Sequence, residues 1–110
     1  MQKFHWKESE IPWQNPMPEI HFKTFTYQDN KFALHLMRFD AGFSHPAHTH
    51  DMEEYGYMLK GKIEMEVGDQ KMVIGPGDYM ALPPNTPHSA RVLEDVEMIA
   101  LISPPRPDIR

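Results

Sequence analysis

From residue 19 onward the apolar residues of the chain come in short runs, most of them alternating with polar positions. These runs are Ile20 to Tyr27, Phe32 to Phe39, Tyr55 to Leu59, Lys62 to Val67, Lys71 to Ile74, Tyr79 to Leu82, His88 to Leu93 and Val96 to Ile102. A period of two sends successive side chains to opposite faces of an extended strand. Turn-forming residues punctuate the runs: Asp40-Ala41-Gly42, Lys60-Gly61, Gly68-Asp69, Gly75-Pro76-Gly77-Asp78, Pro83-Pro84-Asn85 and Glu94-Asp95. No segment keeps a helical period for three turns, so the expected class is all-β. A sheet of about eight short strands must close or double on itself to cover its apolar face and its edges, which predicts a sandwich or barrel. Residues 1–18 show neither period, contain the isolated Trp6 and Trp13, and read as an N-terminal arm. That arm packs on the chain's own barrel or across an oligomer interface, and residues 19–110 form the barrel itself.

Composition narrows this picture. The chain has 110 residues, no cysteine, and 11 lysines and arginines against 16 aspartates and glutamates, for a formal charge of −5. A domain of this size buries roughly 65% of its unfolded surface, and pairing with a second copy would add to a modest core, so a homodimer is expected. The acidic balance and scattered basic residues argue against nucleic acid as a partner. The first residues carry no apolar leader, and the longest apolar run, Met98 to Ile102, is far too short to span a membrane, so a cytoplasmic location is expected. Without cysteine, any metal must be held by histidine and carboxylate.

The segment Gly42-Phe-Ser-His45-Pro-Ala-His48-Thr-His50-Asp-Met-Glu53-Glu54 supplies such a set. In an extended strand His48 and His50 share a face and can reach one ion. Glu54 has the same parity at the start of the next strand, whereas Glu53 falls on the opposite face. His88 follows the rigid Pro83-Pro84-Asn85-Thr86-Pro87 turn and opens another strand. Three imidazoles and a carboxylate suit one divalent transition metal ion per chain: Mn, Fe, Ni, Co or Zn. His45 precedes Pro46 and reads as an exposed loop histidine; brought to the barrel mouth, it becomes a candidate proton shuttle. Strand parity puts Met58 with Glu54 and Gly56, and Ala90 and Val92 with His88. Met37, Met65, Met80 and Met98 also sit in strands as core filling or pocket lining, and Tyr55, Tyr57 and Tyr79 are read as packing residues.

The complete spacing is Gly42, five residues, His48, one, His50, three, Glu54, six, Gly61. At average residue usage such a pattern arises by chance in a chain this short roughly once in 10⁵. Here the chain resembles the cupins, whose first motif it matches at every specified position. Their second motif is matched at Gly77, Pro83 and His88, with Asn85 in place of a glycine and Val92 in place of an asparagine. The resemblance implies a double-stranded β-helix, or jelly-roll barrel, with the metal inside it at His48, His50, Glu54 and His88. The tail Ile102-Ser103-Pro104-Pro105-Arg106-Pro107-Asp108 is similar to that of the small cupins of pectin and uronate degradation. That likeness implies that Arg106 pairs with a substrate carboxylate, while Ala100 and Ile102 stand where those cupins have an aspartate and a phenylalanine.

The resulting expectation is a metal-dependent isomerase, tautomerase or lyase that acts on a small carboxylated or sugar-derived molecule, with His45 and Arg106 as catalytic candidates. Two alternatives stand beside it. An iron-dependent dioxygenase would use the same site on an aromatic or sulfur-containing substrate, and a non-catalytic module would bind or sense a small ligand.

Overall fold

The computed structural model describes residues 2–27 and 31–105. After a 3₁₀ turn, Glu8–Glu10, eight strands follow: β1 Trp13–Met17, β2 Ile20–Phe25, β3 Ala33–Phe39, β4 Ser44–His48, β5 Glu53–Val67, β6 Gln70–Ile74, β7 Tyr79–Leu82 and β8 His88–Ser103. All pairings are antiparallel, in the order β1-β2-β3-β8-β5-β6, with β4 added to β8 and β7 to β5.

Two pairs of predicted strands are single long ones. Lys60-Gly61 and Glu94-Asp95 are bends inside β5 and β8 rather than turns between strands. The two long strands pair along their whole length and change partners at the bend. Before it, the first half of β5 pairs with β7; after it, the second half pairs with β6. β8 likewise pairs with β4 through His88 to Arg91 and with β3 through Val96 to Ile102. This exchange closes the sheet into the jelly-roll barrel that the cupin resemblance implies.

A β-bulge makes the bend. Across it the register with β8 slips by one residue, from Met58 opposite Met98 to Ile63 opposite Val92. The inward parity of β5 therefore changes from even positions, Gly56 and Met58, to odd ones, Ile63 and Met65, while β8 stays even throughout. Gly61 is required there: its φ is +89°, and a Cβ would overlap the backbone carbonyl of Asp95. The buried residues Ile20, Phe22, Met37, Met58, Ile63, Met65, Val92, Val96, Met98 and Ala100 form most of one core between the curved walls.

The segment read as an arm contains β1, which pairs with β2 through a bulge between Gln14 and Met17. Trp6 packs edge-to-face on Phe25 and Tyr27 of its own chain, at 5.0 and 5.7 Å between ring centroids. Trp13 lies under Arg38 at 4.6 Å and Lys23 at 5.0 Å. Periodicity could not reveal β1, because an edge strand exposed on both faces has no alternation to read.

Candidate metal centre

Four histidines and one carboxylate meet at one end of the barrel interior. His48 closes β4 and stands directly across from His88, the first residue of β8. Their ring centroids are 4.3 Å apart, and His50, in the loop after β4, lies 4.8 Å from His88. One nitrogen from each of His48, His50 and His88 lies within 4.8 Å of the others, close enough for the three to hold one metal ion.

The three rings are oriented by backbone carbonyls. Nδ1 of His48 donates to the Pro46 carbonyl, Nδ1 of His50 to that of Met52 and Nδ1 of His88 to that of Thr86, each at 2.9 Å. A carbonyl can only accept, so these bonds put the proton on Nδ1 and leave Nε2 with its lone pair available. Fixing a ring by its second nitrogen is the usual way a protein prepares a histidine for metal binding. The loops that carry these rings are also tied together, because the Asn85 N–H donates to the His50 carbonyl at 2.7 Å. Asn85 has φ +61°, a left-handed conformation that asparagine tolerates, in the turn that leads to His88. Burial lowers the His88 pKa, and the neighbouring His48, His50 and His45 lower it further, against an opposing effect of its bond to Thr86. His88 therefore favours the neutral form that a metal ligand requires.

Glu54 sits beside this group, with Oε1 3.9 Å from Nε2 of His50, and lines the same cavity. Glu53 does not line it. His45 departs from the loop reading: it belongs to β4, opposite Ala90, and its ring lies 4.0 Å from that of His48. The register of β4 slips by one between His45 and His48, so two histidines three positions apart reach the same side. Pro46, which has no N–H to give a ladder, sits at that slip. Pro46, read from the sequence as placing His45 in a loop, instead marks a slip within the strand. Arg106 lies outside the described residues. Ala100 is buried opposite His35 and Gly56, and Ile102 is opposite Glu54.

The cavity holds about 240 Å³. Met37, Met65, Met80 and Met98 line it, the first two and Met98 also filling the core, together with Phe22, Phe39, Phe43 and Val92, whereas Met58 is wholly buried in the core. Two of the tyrosines do not follow the packing expectation: Tyr55 and Tyr79 lie on the outer face, 47% and 81% exposed, whereas the half-buried Tyr57 packs at a tilt against Tyr79, 4.8 Å between ring centroids. No helix among the described residues is long and apolar enough to cross a membrane.

Comparison with known proteins agrees with this architecture. The solved structure of KdgF from Halomonas sp. superposes with a TM-score of 0.85 at 30% identity, covering 99% of this chain and 100% of that one. The H2HPP isomerase of Bacillus subtilis is 41% identical over 56 residues, 49% of this chain and 23% of that protein. Quercetin 2,3-dioxygenase of Bacillus subtilis (strain 168) is 34% identical over 62 residues, 56% of this chain and 18% of that protein. The chain thus spans less than a quarter of the length of these two curated relatives. The cupin domain model matches residues 35–103, a stretch that contains all four site histidines and Glu54. With both long strands and the histidine cluster inside that match, the chain belongs to the cupin domain family.

Proposed function

We propose that the chain is a metal-dependent enzyme of the isomerase, tautomerase or lyase type, acting on a small molecule inside the barrel. One divalent transition metal ion would be held by Nε2 of His48, His50 and His88, with Glu54 as the fourth ligand. The convergence of three imidazoles whose other nitrogens are already committed to backbone carbonyls carries this reading. When bound, such an ion supplies Lewis acidity toward a carbonyl or hydroxyl oxygen of the ligand.

The remaining roles belong to the chain. Nδ1 of His45 bonds to the Pro46 carbonyl at 3.2 Å, which leaves Nε2 as the atom that takes up or delivers a proton beside His48. The apolar walls exclude water from the ligand, and Arg106 is retained as the expected partner of a substrate carboxylate. A second reading, an iron-dependent dioxygenase, draws support from the methionine and phenylalanine wall, which suits an aromatic or sulfur-containing substrate. Metal analysis of protein purified without added metal separates the two: iron together with substrate-dependent oxygen uptake selects the dioxygenase. His48→Ala and His88→Ala variants that keep full turnover without metal would overturn both. If a panel of uronates, keto acids and phenols yields a thermal shift but no turnover, the chain is a binding module.

The expected homodimer is proposed to form through the outer face of β3, β8, β5 and β7. Two cross-strand rows lie there, Leu34-Leu101-Tyr55-Ala81 and Leu36-Ile99-Tyr57-Tyr79. Leu34 is 44% exposed and Ile99 39%. A contiguous apolar face of this kind is unusual for a monomer and suits burial against a second copy.

A further inference from the structure

The cavity is divided by polarity. All the polar side chains that line it among the described residues belong to the cluster at one end: His45, His48, His50, Glu54 and His88. Beyond that cluster the described wall offers no lysine, arginine, hydroxyl or carboxamide side chain. Val92, only 2% exposed, is part of this apolar wall. Gly56 shapes the region between β7 and β8: a Cβ there would come within 2.7 Å of Met98 Cε and 2.8 Å of Met80 Cγ. The two thioether chains, projecting from neighbours on either side of Gly56, occupy the space a side chain would take.

We infer that the site takes a small oxygen-headed ligand whose body is apolar and about the size of one aromatic ring. The carboxylate or phenolic oxygen meets the histidine cluster, and the ring lies among the methionines and phenylalanines. This inference rests on the metal-site reading for its oxygen end and on the wall alone for its apolar end. Three physical arguments support it. A sugar ring would bury several hydroxyls against a wall that cannot bond them, and each unsatisfied hydroxyl costs about 1–3 kcal/mol. The volume of about 240 Å³ exceeds the roughly 150 Å³ apolar cavity that accommodates benzene, which leaves room for one ring and a small substituent. Methionine side chains adapt to a flat ring and make favourable sulfur–aromatic contacts. Of the carboxylated and sugar-derived ligands expected from the sequence, the wall therefore selects carboxylated ones with an apolar body.

The test uses three carboxylates that share a head and differ in body: benzoate, galacturonate and acetate. They are titrated into the Co²⁺-loaded protein, with the Co²⁺ absorption spectrum as the readout. Benzoate is expected to bind at least about tenfold more tightly than either of the others, the discrimination that one buried group typically gives. Met80→Gln should weaken benzoate about tenfold while leaving Co²⁺ uptake unchanged, and Met98→Leu, which keeps the wall apolar, should stay within about threefold. Galacturonate binding as tightly as benzoate, or benzoate indifferent to Met80→Gln, overturns the inference and leaves the metal site standing. A chain that takes up no Co²⁺, or takes it up equally well as His48→Ala, overturns the metal reading alone. The comparison of benzoate with galacturonate by calorimetry on the metal-free protein then still decides the ligand class.

Discussion

The inner and outer faces of the sheet formed by β3, β8, β5 and β7 are both apolar, yet they serve different ends. Along β8, Val96, Met98, Ala100 and Ile102 point inward and are nearly inaccessible, while Ile99 and Leu101 point outward beside Leu34 and Tyr55. The inner face curves around a cavity whose polar side chains, among the described residues, form one cluster, so its apolar residues stabilise the fold and, on the reading proposed above, select a ligand. The outer face instead borders open recesses, one of them shared by Leu34, Leu36 and Ile99 with Glu8 and Ile11 of the N-terminal segment. Hydrophobicity alone did not assign these roles; curvature and enclosure did. A single alternating strand pattern can therefore line a pocket on one side and leave on the other an exposed apolar face, the one proposed above to pair two copies.

The largest effect expected on the inner face is loss of metal binding. His48→Ala or His88→Ala should lower affinity for Zn²⁺ or Co²⁺ at least about 100-fold, since removal of an outer partner of a ligand already costs 10–100-fold. Direct titration and metal content measure this. Met58→Ala, at a side chain with no accessible surface, should cost about 2–5 kcal/mol in urea unfolding, whereas Tyr79→Ala outside should change the monomer by less than about 0.5 kcal/mol. Comparable costs on the two faces would break the distinction. Gly61→Ala tests the bend that the two faces share. Its left-handed backbone and the Asp95 carbonyl predict a loss of about 2–4 kcal/mol, read as a lower urea midpoint at unchanged m-value.

Leu34→Lys combined with Ile99→Lys sharpens the outer half of the comparison. It should convert a dimer to a monomer in sedimentation experiments, with metal content unchanged.

The smallest effect is one of pH. Because His88 has a folded pKa below its unfolded value near 6.5, the unfolded chain binds a proton that the folded one resists as pH falls through that range. The metal-free protein should thus lose stability between about pH 7.5 and 5.5, and His88→Gln should lose less, by urea midpoints at the two pH values. An unchanged dependence in the variant would remove the burial of His88 as its cause.

Much of the candidate metal centre was legible in the chain because its histidines lie in short local patterns. His48 and His50 are two residues apart, and the proline-rich turn marks the entry to His88. His45 was harder to read, since a following proline argues for a loop, whereas Pro46 here sits at a register slip inside β4. The carbonyls of Pro46, Met52 and Thr86 that orient the rings carry no side-chain signature at all. In the fold, alternation identified most strands but divided β5 and β8. A turn and a bulge use the same residues, and only the neighbouring strand tells them apart. β1 escaped because an edge strand exposed on both faces leaves no apolar trace, and Tyr55 and Tyr79 were misjudged because aromatic content says nothing about which face is enclosed.

By itself the sequence determined the all-β class, the cupin resemblance and the donor types of the candidate metal site. These depend on side-chain chemistry and on spacings of a few residues, where strand geometry leaves little freedom. Tertiary structure decided that His45 faces the cavity, that β5 changes its inward parity at Gly61 and that the polar lining, among the described residues, gathers in one cluster. Each of these depends on pairing between segments distant in the chain. Register and curvature arise only when strands meet, and they determine which of two chemically similar faces becomes a pocket.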